Sequence, residues 1–130
     1  MLQYKKSFCV IGVANVSEAE KFYRDKLGLV SKGEQWPGSQ LFEIGDGKSF
    51  ILYNDKNHRP GTGAVLTFHV DDIDAAVDGL VAAGIGIDKE DAAGPTDARG
   101  ILHIHNESVR LNVALFKDPS GNILSLLQFE

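Results

Sequence analysis

The sequence repeats itself, and this repeat restricts the possible folds more than any other feature. Val13 and Ala19 recur as Val70 and Ala76, each 57 residues further along the chain. A repeat over this distance predicts two copies of one supersecondary unit. The 130 residues give room for both copies and for a hydrophobic core that needs no disulfide.

The first half predicts one strand, one helix and three further strands. Residues 7–14 form an apolar run typical of a buried strand. Ser17 and Glu20 have the spacing of a capping box, so we expect a helix that begins there and ends at Gly28. Three short strands follow, and the glycines at residues 45–47 predict a hairpin between the last two.

The second half starts the same pattern again. Residues 64–71 predict a strand, and Asp72 is a good helix N-cap. The helix that follows carries a single apolar stripe, made of Ile73, Ala76, Val77, Leu80 and Val81. This half also has an insertion before its last strand, which we assign to the loop at 91–99 and the segment at 101–106. A turn at 118–121 then introduces the closing strand.

The number of helices indicates how the two halves are buried. Each half has one helix, which covers one face of its sheet and leaves the other face to be buried by something else. We therefore expect the two sheets to curve toward each other around a shared cavity. The prediction is a single domain over residues 1–130, with one module at about 1–57 and a second at about 63–130.

Three segments resemble a known superfamily. FKDPSGNILSL at 116–126, FYRDKLGL at 22–29 and FHVDDIDAAVDGLVAAGI at 68–85 are similar to the vicinal oxygen chelate group, which includes glyoxalases, bleomycin resistance proteins and extradiol dioxygenases. The resemblance implies an α+β fold of two βαβββ modules that form a cupped, barrel-like mixed sheet with one helix outside each module. It also implies a homodimer. It does not choose one activity, because one fold can carry many functions.

Strand parity predicts which side chains face the cavity, since successive side chains point to opposite faces. The inward set is largely apolar and aromatic with a few polar groups, a composition typical of small-molecule sites. A tightly packed interior without a cavity is the alternative. The predicted ligand-binding residues are Phe8, Val10, Ile51, Tyr53, Val65, Thr67, His69, Ser125 and Leu127, together with Trp36.

The resemblance also implies where metal-using relatives hold their ion. Those four positions correspond here to Phe8, Ile51, Val65 and Ser125. Three hydrocarbons and one hydroxyl do not supply the N and O donors that a divalent ion requires. We therefore predict no metal and no cofactor.

The histidines offer the alternative chemistry. His69 lies on the inward parity, where partial desolvation would keep it neutral and suited to proton transfer; a structural role is equally open. His103, His105 and Glu107 share one face of a possible strand, as either a non-standard metal site or a half-solvated edge.

Composition excludes several classes of function. A net charge of -5 argues against nucleic-acid binding, because phosphate contacts need clustered cations. No apolar run is long enough to span a membrane, and no signal-peptide core follows the start, so we expect a cytoplasmic protein.

The single cysteine, Cys9, is predicted to be an inert core residue. Trp36 is either a lid or a subunit contact, and Arg99 and Arg110 are either anion-binding or simply exposed.

Two functional hypotheses follow, and they leave open whether the protein is an enzyme. The first is a metal-free protein that binds a small, largely apolar or aromatic molecule between its modules, for sequestration or resistance. The second is a glyoxalase-like lyase or isomerase, which would use His69 or the cluster of His103, His105 and Glu107.

Overall fold

The repeat seen in the sequence appears in the structure as two units with the same order of strands and helix. The computed structural model describes residues 1–91 and 94–130. The chain divides into a first unit, Met1–His58, and a second unit, Arg59–Glu130.

The first unit is a four-stranded sheet with one helical segment. Its sheet order is β1-β4-β3-β2, where β1 and β4 are parallel and the other pairs are antiparallel. The elements are β1 (Cys9–Val13), α1 (Val16–Lys21) continued by a π-helical segment (Phe22–Lys26), β2 (Val30–Gly33), β3 (Ser39–Ile44) and β4 (Lys48–Asn54).

The start of α1 differs from the prediction. Asn15, rather than Ser17, is the N-cap, and its side-chain oxygen accepts a hydrogen bond from the Glu18 amide. Asn54 fixes the same turn from β4, because its Oδ1 accepts from the Val16 amide at 2.8 Å. Asparagine and serine are equally good caps, so a tertiary contact chose between them.

The core of the first unit is aromatic. Four rings pack in series with centroid separations of 5.3 to 5.8 Å, those of Phe22, Tyr23, Phe42 and Phe50. Tyr23, Phe42 and Phe50 are fully buried, and such contacts stabilise a core beyond the area that they remove from water. The predicted glycine end of the helical segment is confirmed, since Gly28 has φ 73°.

Cys9 is exposed, and the prediction of a core position was wrong. It begins β1, which is an edge strand of its sheet. Burial in this strand starts at Ile11 and Val13, which are 6% and 0% exposed.

The second unit repeats the arrangement with sheet order β5-β10-β9-β8. Again one pair, β5 and β10, is parallel and the other pairs are antiparallel. The elements are β5 (Ala64–His69), α2 (Ile73–Ala82), a two-stranded hairpin of β6 (Glu90–Asp91) and β7 (Gly94–Pro95), β8 (Ile101–His105), β9 (Arg110–Lys117) and β10 (Ile123–Phe129).

The predicted helix of the second unit is confirmed at both ends and along its buried face. The Asp72 side chain accepts from the Ala75 amide, and Gly84 has φ 83° just after the helix. Three members of the stripe are buried against the sheet, namely Ile73, Val77 and Leu80. Val81 is 57% exposed, so its assignment to the buried face was wrong.

The insertion is shorter than predicted. β8 occupies the same place in its sheet as β2 does in the first, so residues 101–105 belong to the repeat. The additional residues lie between α2 and β8. One of them, Asp88, pairs with Leu115 of β9 through a backbone bridge. The prediction failed because an alternating His/Ile strand at a sheet edge has no apolar run to mark it.

The turn before β10 forms as predicted. The Asp118 carboxylate accepts hydrogen bonds from the Ser120 and Asn122 amides and from the Asn122 side chain, all at 2.9 Å. Gly121 has φ 83°, a conformation that glycine adopts without strain. This turn sets the register of β10 against β9 and therefore the direction in which Ser125 points.

The fold is thus α+β, as predicted, with two modules that each contain a four-stranded mixed sheet and one helix. Each sheet keeps two edge strands, so residues 1–91 and 94–130 form no closed barrel. No helix in the described part of the chain is long and apolar enough to cross a membrane.

Candidate functional site

Each sheet has one face covered by its helix and one helix-free face. In the first unit, Ile11 and Leu52 are paired on the helix side, and both are buried. The adjacent pair, Val10 and Ile51, therefore points to the other side. The first helix-free face carries Phe8, Val10, Leu41, Ile51 and Tyr53.

The exposure of this face is uneven. Phe8 and Val10 are 43% and 54% exposed, which is high for apolar side chains next to a buried sheet. Ile51 is only 4% exposed, and Tyr53 is half-buried. Trp36 is 46% exposed in the turn before β3, where the Ser39 hydroxyl accepts from its backbone amide. Both roles suggested for Trp36 stay predictions.

The second helix-free face lies on β5, β10 and β9. Ser125 is the central residue, because it pairs with Thr67 on one side and with Leu115 on the other. Leu127 pairs in the same way with His69 and Val113. Together with Val65 and Ile123, these side chains form a mainly hydrocarbon surface, as strand parity predicted.

A pair of hydroxyls interrupts this hydrocarbon surface. The Oγ atoms of Thr67 and Ser125 lie 2.6 Å apart, within hydrogen-bond distance. Ser125 is 4% exposed, whereas Thr67 is exposed at the edge strand. The structure therefore joins two residues that sequence parity had only placed on the same face.

His69 has a more open setting than predicted. The residue is exposed, and its ring packs edge-on against Phe129 with centroids 5.3 Å apart. β5 is an edge strand, which leaves its side chains open to solvent. The partial desolvation expected for this imidazole is absent, and its catalytic role stays a prediction.

His103 and His105 lie in a hydrogen-bonded cluster that we call the histidine edge. His103 Nδ1 lies 2.7 Å and His105 Nε2 lies 3.1 Å from the same atom, Asn112 Oδ1. His103 Nε2 contacts Asp97 Oδ2 at 2.9 Å, and His105 Nε2 also contacts a Glu130 carboxylate oxygen. The cluster thus has Asp97 and Glu130 as its carboxylates, and not Glu107 as the sequence suggested.

The contacts define the protonation that the histidine edge favours. Both nitrogens of His103 face oxygen acceptors, so the ring satisfies both as an imidazolium. The hydrogen bond with Asp97 raises the pKa of His103, and that with Asn112 acts in the same direction. The same contact with His103 lowers the pKa of the Asp97 carboxyl.

His105 has partners of two kinds. Its Nε2 faces the oxygens of Asn112 and Glu130, whereas its Nδ1 lies 3.5 Å from an Arg110 guanidinium nitrogen, which can only donate. The rings of His103 and His105 pack edge-on with centroids 5.7 Å apart.

The two arginines considered for anion binding already have partners. Arg99 forms ion pairs with Asp74 and Asp78 on α2, with a distance of 2.5 Å to Asp74 Oδ1. Arg110 contacts His105 at the histidine edge. Neither guanidinium lies on a helix-free face.

A family comparison decides the classification. Residues 7–126 match the model of the Glyoxalase/Bleomycin resistance protein/Dioxygenase superfamily. The chain belongs to this superfamily. No functionally curated protein matches the chain.

Solved structures in and around the superfamily share the fold. A glyoxalase family protein of Bacillus anthracis is 21% identical, with full coverage of both chains and a TM-score of 0.67. A glyoxalase/bleomycin resistance protein/dioxygenase of Alicyclobacillus acidocaldarius is 15% identical over 96% of this chain and 91% of that one, with a TM-score of 0.68. TnmS3, an antibiotic-binding protein of Streptomyces sp. CB03234, is 20% identical over 99% and 100%, with a TM-score of 0.64.

The residues of this superfamily member do not fit the metal that the resemblance implies. The four corresponding positions, Phe8, Ile51, Val65 and Ser125, offer one hydroxyl oxygen between them. Within residues 1–91 and 94–130, no group of three or more His, Cys, Asp and Glu residues is placed to hold a metal ion. An amide oxygen and carboxylates already contact both ring nitrogens of His103 and Nε2 of His105.

Sequence patterns did not predict three members of the histidine edge: Asp97, Asn112 and Glu130. They come from the insertion, from β9 and from the residue after β10. Only the β8–β9 register, which pairs His103 with Asn112, offered a signal, and a sequence pattern does not fix that register.

Proposed function

We propose that the protein binds a small, largely apolar or aromatic molecule on its helix-free faces without a metal, as a sequestering or resistance protein. The observation that carries the proposal is the exposure of apolar side chains that strand parity places on the helix-free faces. Phe8, Val10 and Val65 are 43%, 54% and 45% exposed. Covering such surface by a ligand gives roughly 25 cal/mol for each Å² removed from water.

A relative supports the same function. TnmS3 shares the fold at 20% identity and binds an antibiotic. Binding and sequestration require a shaped apolar surface with few polar groups, and no reacting side chain. The helix-free faces have this composition.

The test is equilibrium dialysis against neutral tricyclic aromatics, including fluorene and 9-fluorenone. We expect wild-type protein to bind members of this panel equally well after EDTA treatment and after loading with Zn²⁺ or Ni²⁺. Val10→Asp and Val65→Asp should weaken binding about tenfold or more, because a carboxylate must then be desolvated under the ligand.

Val81→Asp is the matched control, because Val81 is 57% exposed but lies on α2, away from the sheet faces. It should bind as wild type does. No binding by any panel member, binding that requires a divalent ion, or unchanged affinity in both face variants would refute the proposed function.

A further inference from the structure

On the second helix-free face, the pair of hydroxyl groups indicates which chemical group a ligand would present. Thr67 and Ser125 are Cα partners in the parallel β5–β10 ladder, so their side chains stand next to each other. Their Oγ atoms are 2.6 Å apart. On the other side, Ser125 is flanked by Leu115, so the buried hydroxyl has hydrocarbon beside it.

The number of O–H groups shows that the pair keeps an unused hydrogen-bond donor. Two hydroxyls carry two O–H donors, and the bond between them uses one. Among the described residues, Thr67 and Ser125 hydroxyls contact each other and have no second protein acceptor. Once water is displaced, an O–H donor without an acceptor costs more free energy than an acceptor lone pair without a donor. A ligand that covers this surface therefore binds best if it brings an oxygen acceptor.

The charges near the pair favour a neutral acceptor. Lys117, which pairs with Ile123 on this face, has its ammonium group 3.9 Å from Asp88 Oδ2, so a carboxylate of the chain already competes with an anionic ligand for it. The other titratable group of the face, His69, packs against Phe129. An anionic ligand would gain no unpaired cation here and would lose its hydration.

We infer that the Thr67–Ser125 hydroxyl pair recognises a carbonyl oxygen, so that the ligand class is a neutral aromatic ketone or a similar apolar carbonyl compound. This inference rests on the proposed function, because the same surface must bind the ligand. To that function it adds the chemical group by which the ligand is recognised, a carbonyl oxygen, and the two residues that recognise this group.

Two probes with one skeleton test the inference. 9-Fluorenone and fluorene are the same tricycle with a carbonyl or a methylene at one carbon. Wild-type protein should bind fluorenone about tenfold more tightly than fluorene, as expected for one well-placed hydrogen bond in an apolar site. The double variant Thr67→Val, Ser125→Ala should lose this preference and keep its affinity for fluorene.

Two control variants test whether the loss of the preference for fluorenone is specific to removal of the hydroxyl pair. Thr67→Ser keeps both hydroxyls and should keep the preference. Ser17→Ala removes an exposed hydroxyl from the first turn of α1 and should also keep it. A direct measurement does not depend on the variants: the infrared carbonyl stretch of bound fluorenone should move to lower wavenumber than in a hydrocarbon solvent.

The possible failures can be told apart. If fluorene and fluorenone bind wild-type protein equally, or if the double variant keeps the preference, the inference is wrong and the proposed function stands. An unshifted carbonyl stretch in bound fluorenone would also overturn the inference alone. If no member of the tricyclic panel binds, the proposed function fails and this inference fails with it.

Discussion

The second unit contains two groups of polar side chains whose hydrogen bonding differs sharply. At the histidine edge, the nitrogens of His103 and Nε2 of His105 all meet oxygen partners supplied by Asp97, Asn112 and Glu130. On the second helix-free face, Thr67 and Ser125 meet only each other among the described residues. The first group is complete within the chain, whereas the second has one donor left over.

Under the proposed function, this difference separates a structural cluster from a ligand-directed one. The side chains with the most familiar catalytic chemistry are the histidines, yet their partners use up their capacity. The hydroxyls have little intrinsic reactivity, yet they lie on an apolar surface with capacity to spare. If the proposed function holds, hydrogen-bond saturation is a better indicator of the ligand site here than residue type.

The largest effect should come from removing the shared acceptor of the histidine edge. Asn112→Leu leaves His103 Nδ1 and His105 Nε2 without their common partner at a position that is 6% exposed. We expect a loss of about 1–2 kcal/mol in the free energy of unfolding, measured by urea denaturation. Asn57→Leu is the control, because Asn57 is exposed, and its change should stay within about 0.5 kcal/mol. Equal stability of Asn112→Leu and wild type would show that the cluster is not structural.

A smaller effect with a characteristic pH dependence should follow from Asp97→Asn. The Asn side chain keeps the oxygen that accepts from the Arg99 and Ile101 amides and loses the charge next to His103. Both side chains are more than a third exposed, so we expect about 0.5–1 kcal/mol.

The directions of the pKa shifts of His103 and Asp97 set the pH range in which Asp97→Asn should change stability. The pKa of His103 is raised above its ordinary value of 6.5, so its contribution is present below that pH and is lost as the pH rises through the folded-state pKa. The pKa of Asp97 is lowered below 3.8, so its contribution is present above that pH and is lost as the pH falls through the folded-state pKa. The stability difference between wild type and Asp97→Asn should therefore be largest between these two values and shrink at pH 9. A difference that does not vary with pH would contradict the assigned ion pair.

The smallest effect on stability should come from the hydroxyl pair. Ser125→Ala removes one buried oxygen, and the exposed Thr67 hydroxyl can then turn to water. We expect a change of less than about 0.5 kcal/mol in urea denaturation, with no pH dependence. A loss larger than that of Asn112→Leu would place the structural role on the helix-free face and reverse the comparison.

Local signals predicted the elements of the fold. The stripe of α2, its Asp72 cap and the turn at Asp118 all depend on residues within a few positions of each other. The cap and the turn form as expected, and the stripe does so except at Val81, which is exposed. Parity along β5 and β10 also placed Thr67 and Ser125 on one face, because the side-chain period of a strand is fixed by its backbone.

Predictions that needed a partner from elsewhere in the chain were less successful. The N-cap of α1 moved to Asn15, which β4 supports through Asn54, and Cys9 became exposed at a sheet edge. The strand Ile101–His105 was assigned to the insertion, because its membership in the sheet depends on pairing with β9. The metal-site alternative for His103 and His105 has the same cause, because the β8–β9 register and the path of the chain before β8 bring Asn112 and Asp97 to these rings.

The sequence alone determined the repeat, the two helices and the side of each strand that its apolar residues face, because these follow from short-range periodicity and turn chemistry. The tertiary structure decided which polar atoms are left with hydrogen-bonding capacity. That outcome depends on cross-strand register, which brings Asn112 to His103 and Ser125 to Thr67 and which the periodicity within a single strand does not encode.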